Sequence, residues 1–145
     1  MHLCDRDAEI IALCAEIQRL NGIAADVREK RVEPFEDKFN DLLDGPGAWK
    51  ERAAAAFSHS RETGRDDAIG DLEALFLKAD KLFARMMTIP ATTQAGRAAK
   101  VSTLLVHALG DGWRGPAKEL DWEKEHTRAL LGEFAGISAD ELAAI

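Results

Sequence analysis

One segment has the residue types and the spacing of a metal-binding helix. Glu123 and His126 form a Glu-x-x-His pattern, which places a carboxylate and an imidazole on the same face of a helix. In ferritin-like bundles this pattern holds a metal only together with a second copy of itself and two further inward glutamates. The other histidines, His2, His59 and His107, have no glutamate three residues before them. The pair is therefore predicted to be a surface i,i+3 pair, and no metal and no cofactor is expected.

A second cluster has the groups that a nucleophilic hydrolase uses. Ser58, His59 and Ser60 are adjacent, so a hydroxyl group and an imidazole could meet there. Such catalysis also needs a third group that orients the base and a pocket that stabilises an oxyanion. Adjacency in a polar segment supplies neither of these. We therefore expect no catalytic residues, and the chain is predicted not to be an enzyme.

A short basic stretch could contact nucleic acid, although the chain as a whole is acidic. It has 19 basic and 26 acidic residues and a net charge of −7, which repels phosphate on average. Within 94–118, Arg97, Lys100 and Arg114 are opposed by one acidic residue, Asp111. The start of this stretch resembles a helix-turn-helix element but lacks the turn between the helices. A DNA-binding regulator that uses these three residues is therefore the alternative hypothesis, and it is the less favoured one.

Two neighbouring residues have the chemistry of a protein interface. Trp113 and Arg114 lie between glycines, and tryptophan and arginine are enriched at the energetic centres of interfaces. They are therefore a candidate interaction surface. The favoured interpretation, however, is that Trp113 folds back as a lid on the end of a helical bundle.

The composition is that of an ordinary soluble chain with free thiols. Apolar residues make up 46% and charged residues 31% of the sequence, which is not the composition of a disordered protein. No apolar run is long enough to span a membrane, and the first residues contain no signal-peptide core. Cys4 and Cys14 would lie about 15 Å apart on one helix, which is beyond the reach of a disulfide. A cytoplasmic protein with reduced thiols, Cys14 in its core and no membrane contact is predicted.

The elements that would position these residues are helices organised around the segment 66–109. Apolar residues recur there at steps of three and four, which predicts one buried stripe for each of two arms. Pro90 ends the first arm near Thr88, and Thr92 or Thr93 can cap the second, which extends over about 94–109. The predicted inward residues are Ile69, Leu72, Phe76, Ala79, Phe83 and Met86 in the first arm, and Ala95, Ala98, Val101, Leu105 and Leu109 in the second.

Three shorter predictions cover the segments before this pair. A first helix begins near Asp5 or Asp7, which can cap it, and continues to about Arg31, where Pro34 ends or kinks it. A short amphipathic helix around Phe35 and a glycine-proline turn at 44–47 follow. The next predicted helix extends over 49–57, and its predicted inward residues are Trp49, Ala53, Ala56 and Phe57. The polar segment 58–67 is interpreted as a loop, with a solvated helical bridge as the alternative.

The last third of the chain is predicted to contain one long and one short helix. The long helix begins at Pro116 and ends before Gly136, after a loop over 110–116. Its predicted inward line is Leu120, Thr127, Leu131 and Phe134, with Trp122 and Leu130 beside it. Ser138 and Glu141 have the spacing of a capping box, which predicts a terminal helix over 139–144.

Two segments resemble matching segments in a group of small uncharacterised helical proteins of bacterial and prophage genomes. They are 7–14, with the sequence DAEIIALC, and 89–100, with the sequence IPATTQAGRAAK. The resemblance implies a first helix, a long helix that ends in Pro-Ala-x-Thr, and a third helix that enters at the threonines. It implies no activity and no site residue. The longer insertion between Ala25 and Ala48 departs from the group.

The sequence as a whole predicts an all-α antiparallel helical bundle with a single domain over residues 1–145. The segment 69–89 has apolar residues around much of its helix and lies beside a helix of small residues, and few polar groups converge. This pattern indicates association rather than catalysis. The leading hypothesis is therefore a non-enzymatic interaction or structural protein that self-associates as a homodimer. A phage- or prophage-related role is part of this hypothesis, through the resemblance.

Overall fold

The computed structural model describes the backbone of residues 3–145 and the side chains from Arg6 onward. Within this range the chain forms seven α-helices and no strand, which confirms the all-α prediction. The helices are α1 (Leu3–Val27), α2 (Glu33–Asp44), α3 (Trp49–Glu62), α4 (Arg65–Thr88), α5 (Gln94–Thr103), α6 (Trp122–Ala135) and α7 (Ala139–Ala143). The predictions for Cys4 and for Asp5 as a cap lie outside the described side chains. None of the described helices has the length and apolar character needed to cross a bilayer.

Pro34 does not end the first helical stretch, in contrast to one form of the prediction. A π-turn at Arg28–Val32 connects α1 to α2, in which the Glu33 N–H bonds the Arg28 carbonyl five residues back. Proline lacks an N–H and its ring crowds the carbonyl four residues earlier, so the preceding turn must widen for the helix to continue. Pro34 then lies in the first turn of α2, where no N–H is needed.

The prediction of a loop at 58–67 is wrong, and so is the alternative prediction of a continuous helical bridge. Helix α3 extends to Glu62 and α4 begins at Arg65, so only Thr63 and Gly64 separate the two helices. The Thr63 hydroxyl donates to the His59 carbonyl at 2.8 Å, which satisfies the end of α3. Gly64 then adopts a φ of +77°, a left-handed conformation that glycine accepts without strain.

The chain, predicted as one domain, divides into two compact units by its internal contacts. We call the segment Arg19–Ala79 the middle unit. The part of α1 up to Gln18, together with Asp80–Ile145, is called the terminal unit. Each unit has its own core, in which a part of α1 packs against a part of α4.

The terminal unit is built around four buried residues, Ile10, Leu13, Cys14 and Met86. Cys14 is a core residue, as predicted, and the Thr103 hydroxyl donates to its sulfur at 3.2 Å. The buried side of α5 consists of Gly96 and Thr103 rather than the predicted Ala95, which is exposed. The small size of Gly96 allows this orientation, because a Cβ there would lie 2.4 Å from the Asp7 carboxylate.

Asp7 anchors the elbow between α4 and α5 instead of capping the first helix. Its carboxylate accepts hydrogen bonds from the backbone N–H groups of Thr92 and Thr93, at 2.9 and 2.7 Å, and from both threonine hydroxyls. Thr93 caps α5, as one of the two predicted options, by accepting from Gly96 N–H at 3.1 Å. The pKa of Asp7 is lowered from 3.8 to about 2, mainly by the Thr93 hydroxyl and then by the Thr92 N–H.

The core of the middle unit consists of Ala24, Val32, Ala68 and Leu72. Leu72 confirms part of the stripe predicted for α4, whereas Phe76 is 37% exposed and is not an inward residue. The inward prediction is also wrong for two residues of α3, because Trp49 and Phe57 are exposed, whereas Ala56 is fully buried as predicted. Trp49 instead lies on the surface beside the Arg52 guanidinium, at 5.6 Å.

Candidate functional site

The orientation of α6 is set by one buried arginine. Arg128 is only 3% exposed, and its Nη1 donates to the carbonyls of Gly115 at 2.7 Å, Trp113 at 3.2 Å and Leu142 at 3.4 Å. These carbonyls belong to the preceding loop and to α7, so one side chain connects three segments of the terminal unit. Gly132, one turn further along α6, lets Leu142 approach closely.

The inward line predicted for this helix is therefore wrong. The helix begins at Trp122, capped by the Asp121 carboxylate on Lys124 N–H at 3.0 Å, and not at Pro116. Its buried residues are Arg128, Gly132 and Ala135. The prediction assumed that the most hydrophobic face of the helix is buried. In the structure, the buried face is the one that satisfies backbone carbonyls and allows close packing. The predicted helix end at Gly136 is confirmed, as is the Ser138–Glu141 capping box.

The outward face of α6 is apolar. Leu130 is 53% exposed and Trp122 and Phe134 are each 72% exposed. These residues and His126 follow each other at steps of four, so they lie along one side of the helix. We call them the α6 outward face. Large exposed apolar residues in a contiguous set, with polar residues around them, are typical of interaction sites.

An apolar groove continues from this face onto α5. It has a volume of about 250 Å³, and its apolar lining residues come from α4, α5, the second π-turn at Leu104–Ala108 and α6. They are Met87, Val101, Leu104, Leu131, Phe134 and Ala135. Phe134 belongs both to the groove and to the α6 outward face, so the two form one surface. We call this recess the α5–α6 groove.

The structure brings two of the three predicted basic residues together and separates the third. Arg97 and Lys100 both line the α5–α6 groove, one turn apart on α5. Arg114 does not line it, because its guanidinium donates to the Val106 carbonyl and pairs with Asp111 at 3.2 Å. The three residues therefore do not form one basic face. Arg114 instead satisfies a backbone carbonyl, that of Val106, near the end of the helix that contains the second π-turn.

Trp113, the other residue of the predicted interaction surface, is half-buried in a short 3-10 turn, Asp111–Trp113. Its carbonyl accepts the bond from Arg128. Trp113 and Arg114 therefore both take part in holding the loop against the helices of the terminal unit. The most exposed large apolar residues of this unit, Trp122, Phe134 and Leu130, lie on α6 instead.

The other residues with possible site chemistry are the Glu123–His126 pair and the Ser58–His59–Ser60 cluster. His126 is exposed, its Nδ1 contacts the Trp122 carbonyl at 2.8 Å, and its ring lies 4.6 Å from the Trp122 ring. No group of three or more histidine, cysteine, aspartate or glutamate side chains among the described residues is placed to hold a metal. Ser58, His59 and Ser60 lie on α3, where Ser58 donates to Glu62 and the Ser60 hydroxyl accepts from Arg65.

A second recess lies in the middle unit and is organised by Arg65. This side chain is 8% exposed, and its Nε and Nη2 donate to both oxygens of Glu36 at 3.0–3.2 Å. Its Nη1 donates to the Ser60 hydroxyl at 3.1 Å, and the guanidinium carbon lies 3.9 Å from the centre of the Phe39 ring. Charge, hydrogen bonds and ring contact together fix the position of Arg65.

The recess beside this pair has a volume of about 490 Å³. Two helical faces line it, and we call it the middle-unit cleft. The first π-turn and α2 supply Arg28, Val32, Glu33 and Glu36. Helix α4 supplies Arg65, Ile69, Leu72, Glu73 and Phe76. The cleft therefore combines an apolar floor with carboxylates and guanidinium groups.

Sequence reasoning missed both buried arginines and the groups that they position. An isolated arginine on an amphipathic helix is indistinguishable by pattern from a solvent-facing one. A signal was present at Arg128, because the small residues Gly132 and Ala135 follow it at steps of four and seven. Such spacing indicates a face that packs closely against another element. No comparable signal marks Arg65, whose partners lie 5 and 29 residues away.

Comparisons of the chain with family models, with curated proteins and with solved structures each give no match. The resemblance of 7–14 and 89–100 to small prophage proteins therefore stays a prediction. What the surfaces of the two units can bind has to be inferred from their own residues.

Proposed function

We propose that the chain is a non-enzymatic association module, in which two copies bind each other through the α5–α6 groove and the α6 outward face. The orientation of α6 is the observation that carries this proposal. The helix buries Arg128, Gly132 and Ala135 and exposes Leu130 and Phe134, although an isolated monomer would gain stability by burying its large apolar residues. The exposed side chains are accounted for if a partner covers them.

Charge complementarity supports a second copy of this chain as the partner. The groove has two cationic residues, Arg97 and Lys100, beside its apolar lining. Two exposed glutamates, Glu123 and Glu133, lie on the same side of α6 as the outward face. In a two-fold dimer each copy contributes the same patch, so the α6 outward face of one copy can cover the groove of the other. Apolar side chains then meet apolar side chains, and Glu133 of one copy approaches the basic pair of the other.

The setting of this module is also part of the proposal. The resemblance of 7–14 and 89–100 to small helical proteins of bacterial and prophage genomes supports a phage- or prophage-related role. The composition supports a cytoplasmic location, with Cys14 as a reduced thiol in the core.

Light scattering on a size-exclusion peak, over a range of micromolar concentrations, tests the proposal with a matched pair of variants. Leu130→Glu places a charge in the α6 outward face, whereas Leu77→Glu places the same charge at a 57%-exposed leucine of α4 in the middle unit. The wild type and Leu77→Glu are expected to be dimers, and Leu130→Glu a monomer with unchanged helical circular dichroism. A monomeric wild type, or equal loss of the dimer in both variants, would contradict the proposed surface.

A gel shift at low salt tests whether Arg97 and Lys100 bind a nucleic acid instead. Since Arg114 lies apart from Arg97 and Lys100, the groove offers only two cations, and we expect no shift of a mixed DNA ladder. A shift that is lost in Arg97→Ala and Lys100→Ala, with the oligomeric state unchanged, would replace association by DNA binding as the function of this surface.

A further inference from the structure

We propose that the middle-unit cleft binds a small organic cation with an apolar body, such as an ammonium group attached to an aromatic or alkyl chain. The cleft lies in Arg19–Ala79 and shares no residue with the α5–α6 groove, so this inference is independent of the proposed dimer.

The shape of the cleft suits a small molecule. Its volume of about 490 Å³ lies within the range of roughly 300–1,000 Å³ typical of ligand pockets. Val32, Ile69 and Leu72 give it an apolar floor, and the partly exposed Phe76 ring contributes a wall. An apolar body could replace water against these side chains, and the ring could also contact a cation.

The charges of the cleft favour a cation over an anion. Three carboxylates and two guanidinium groups line it, which gives a net charge of −1. Glu36 and Arg65 neutralise each other through their bidentate contact. Of the remaining groups, Glu33 and Glu73 have no hydrogen-bond or ion-pair partner among the described residues, so two carboxylates stand ready for a ligand against one guanidinium, that of Arg28.

The backbone around the cleft is also unusual. Arg28 and Val32 are the first and last residues of the π-turn that connects α1 to α2. Single π-turns inside α-helices are rare and are frequent at functional sites. Because Glu33 follows directly, the widened turn determines where this carboxylate stands relative to the apolar floor. The buried Arg65 fixes Glu36 one turn later, so one wall of the cleft is rigid before any ligand binds.

Three probes with the same phenylbutyl body separate charge from hydrophobicity: 4-phenylbutylammonium, 4-phenylbutanol and 5-phenylpentanoate. Each is titrated into the ¹⁵N-labelled full chain at a fixed protein concentration and pH 7. We expect saturable shifts of the Val32, Ile69 and Phe76 amide resonances with the ammonium probe, weaker binding of the alcohol and weakest binding of the carboxylate. Tightest binding of the carboxylate would show that Arg28 decides the selectivity and would overturn the proposal, as would the absence of saturable binding.

Glutamine variants then test the two carboxylates. Loss of a charge-assisted contact in Glu33→Gln or Glu73→Gln should lower the affinity for the ammonium probe by about tenfold and leave the affinity for the alcohol unchanged. Glu51→Gln, which removes an exposed carboxylate from α3, is the matched control and should have no effect. Equal binding of the ammonium probe by all three variants and the wild type would contradict the proposed role of Glu33 and Glu73.

Discussion

In the terminal unit a buried arginine is held by uncharged carbonyl oxygens, whereas in the middle unit the buried arginine is held by a carboxylate. Arg128 bonds the carbonyls of Trp113, Gly115 and Leu142, and Arg65 bonds both oxygens of Glu36. Both arginines fix a helix beside a recess, and each recess also borders a π-turn. The recesses nevertheless have different surfaces.

The two recesses differ in the charges that line them, as the partners of the two buried arginines do. The acceptors of Arg128 are uncharged carbonyls, and the α5–α6 groove carries charge only at Arg97 and Lys100. A carboxylate acceptor places Glu36 in the wall of the middle-unit cleft, where Glu33 and Glu73 also stand. These linings underlie the two proposals, an apolar protein surface for the first recess and a small cation for the second.

Arg65→Met should have the largest effect on stability. The substitution leaves the Glu36 carboxylate without its partner, and breaking a buried pair costs about 3–5 kcal/mol. Because the Glu36 side chain is 41% exposed and water can reach it, we expect a smaller loss of about 2–3 kcal/mol in the free energy of unfolding. Urea denaturation measures this. The control is Arg31→Met, which removes an exposed pair with Asp71 and should cost less than about 1 kcal/mol.

Arg128→Met should cost less than Arg65→Met, about 1–3 kcal/mol, because it strands carbonyl groups but no charge. The same urea experiment measures it. A greater loss than in Arg65→Met would show that the countercharge does not distinguish the two buried arginines. The variant should also weaken the dimer, because Arg128 sets which face of α6 is exposed.

Two glycine substitutions probe how tightly each unit is packed. Gly96→Ala in the terminal unit would place a methyl group 2.4 Å from the Asp7 carboxylate, and such overpacking costs about 1–3 kcal/mol. Gly70→Ala in the middle unit meets no atom within 4 Å, so the better helix propensity of alanine should raise stability by up to about 1 kcal/mol. Thermal melts of both variants test this, and a stabilising Gly96→Ala would mean that Asp7 does not fill the space beside α5.

The smallest expected effect is a pH dependence confined to the terminal unit. The pKa of Asp7 is about 2 in the folded chain, lowered from 3.8 by the Thr93 hydroxyl and the Thr92 N–H. A lowered pKa stabilises the fold above the unfolded value, and this contribution is lost as the pH falls from about 4 towards 2. Urea unfolding at several pH values should therefore give a flatter profile in this range for Asp7→Asn than for the wild type.

The cap at Asp121 provides the control for that profile. Its pKa is also lowered, chiefly by the Lys124 N–H, but it lies on the surface and anchors only the start of α6. Asp121→Asn should therefore keep most of the pH slope of the wild type. If the two variants have identical profiles, the elbow bonded by Asp7 is not the source of the acid sensitivity.

The sequence could predict most of the helices because their apolar residues recur with helical spacing. The arms 65–88 and 94–108, the end at Gly136 and the terminal capping box depend on contacts within a few residues, which a local pattern records. The prediction for 58–67 failed because the polar residues of this segment have no such spacing. Ser60 is nevertheless fully buried, and its hydroxyl accepts a hydrogen bond from Arg65.

The two recesses could not be predicted in the same way. The side of α6 that faces inward depends on bonds from Arg128 to residues 13 to 15 positions away, and hydrophobicity alone ranks the opposite side as buried. The pairing of Arg65 with Glu36, 29 residues away, likewise depends on how two helices come together. The sequence did suggest Arg97 and Lys100 as neighbours, because they lie one turn apart on a single helix.

A mixing experiment tests the proposed association most directly. One variant combines Arg97→Glu and Lys100→Glu, and the other is Glu133→Lys. In a two-fold dimer each variant alone opposes like charges, whereas a mixed pair restores opposite charges at both contacts. Sedimentation equilibrium is expected to give monomers for each variant alone and heterodimers for the equimolar mixture. Dimers of either variant alone, or a mixture that stays monomeric beside a dimeric wild type, would contradict the association of the α6 outward face with the α5–α6 groove.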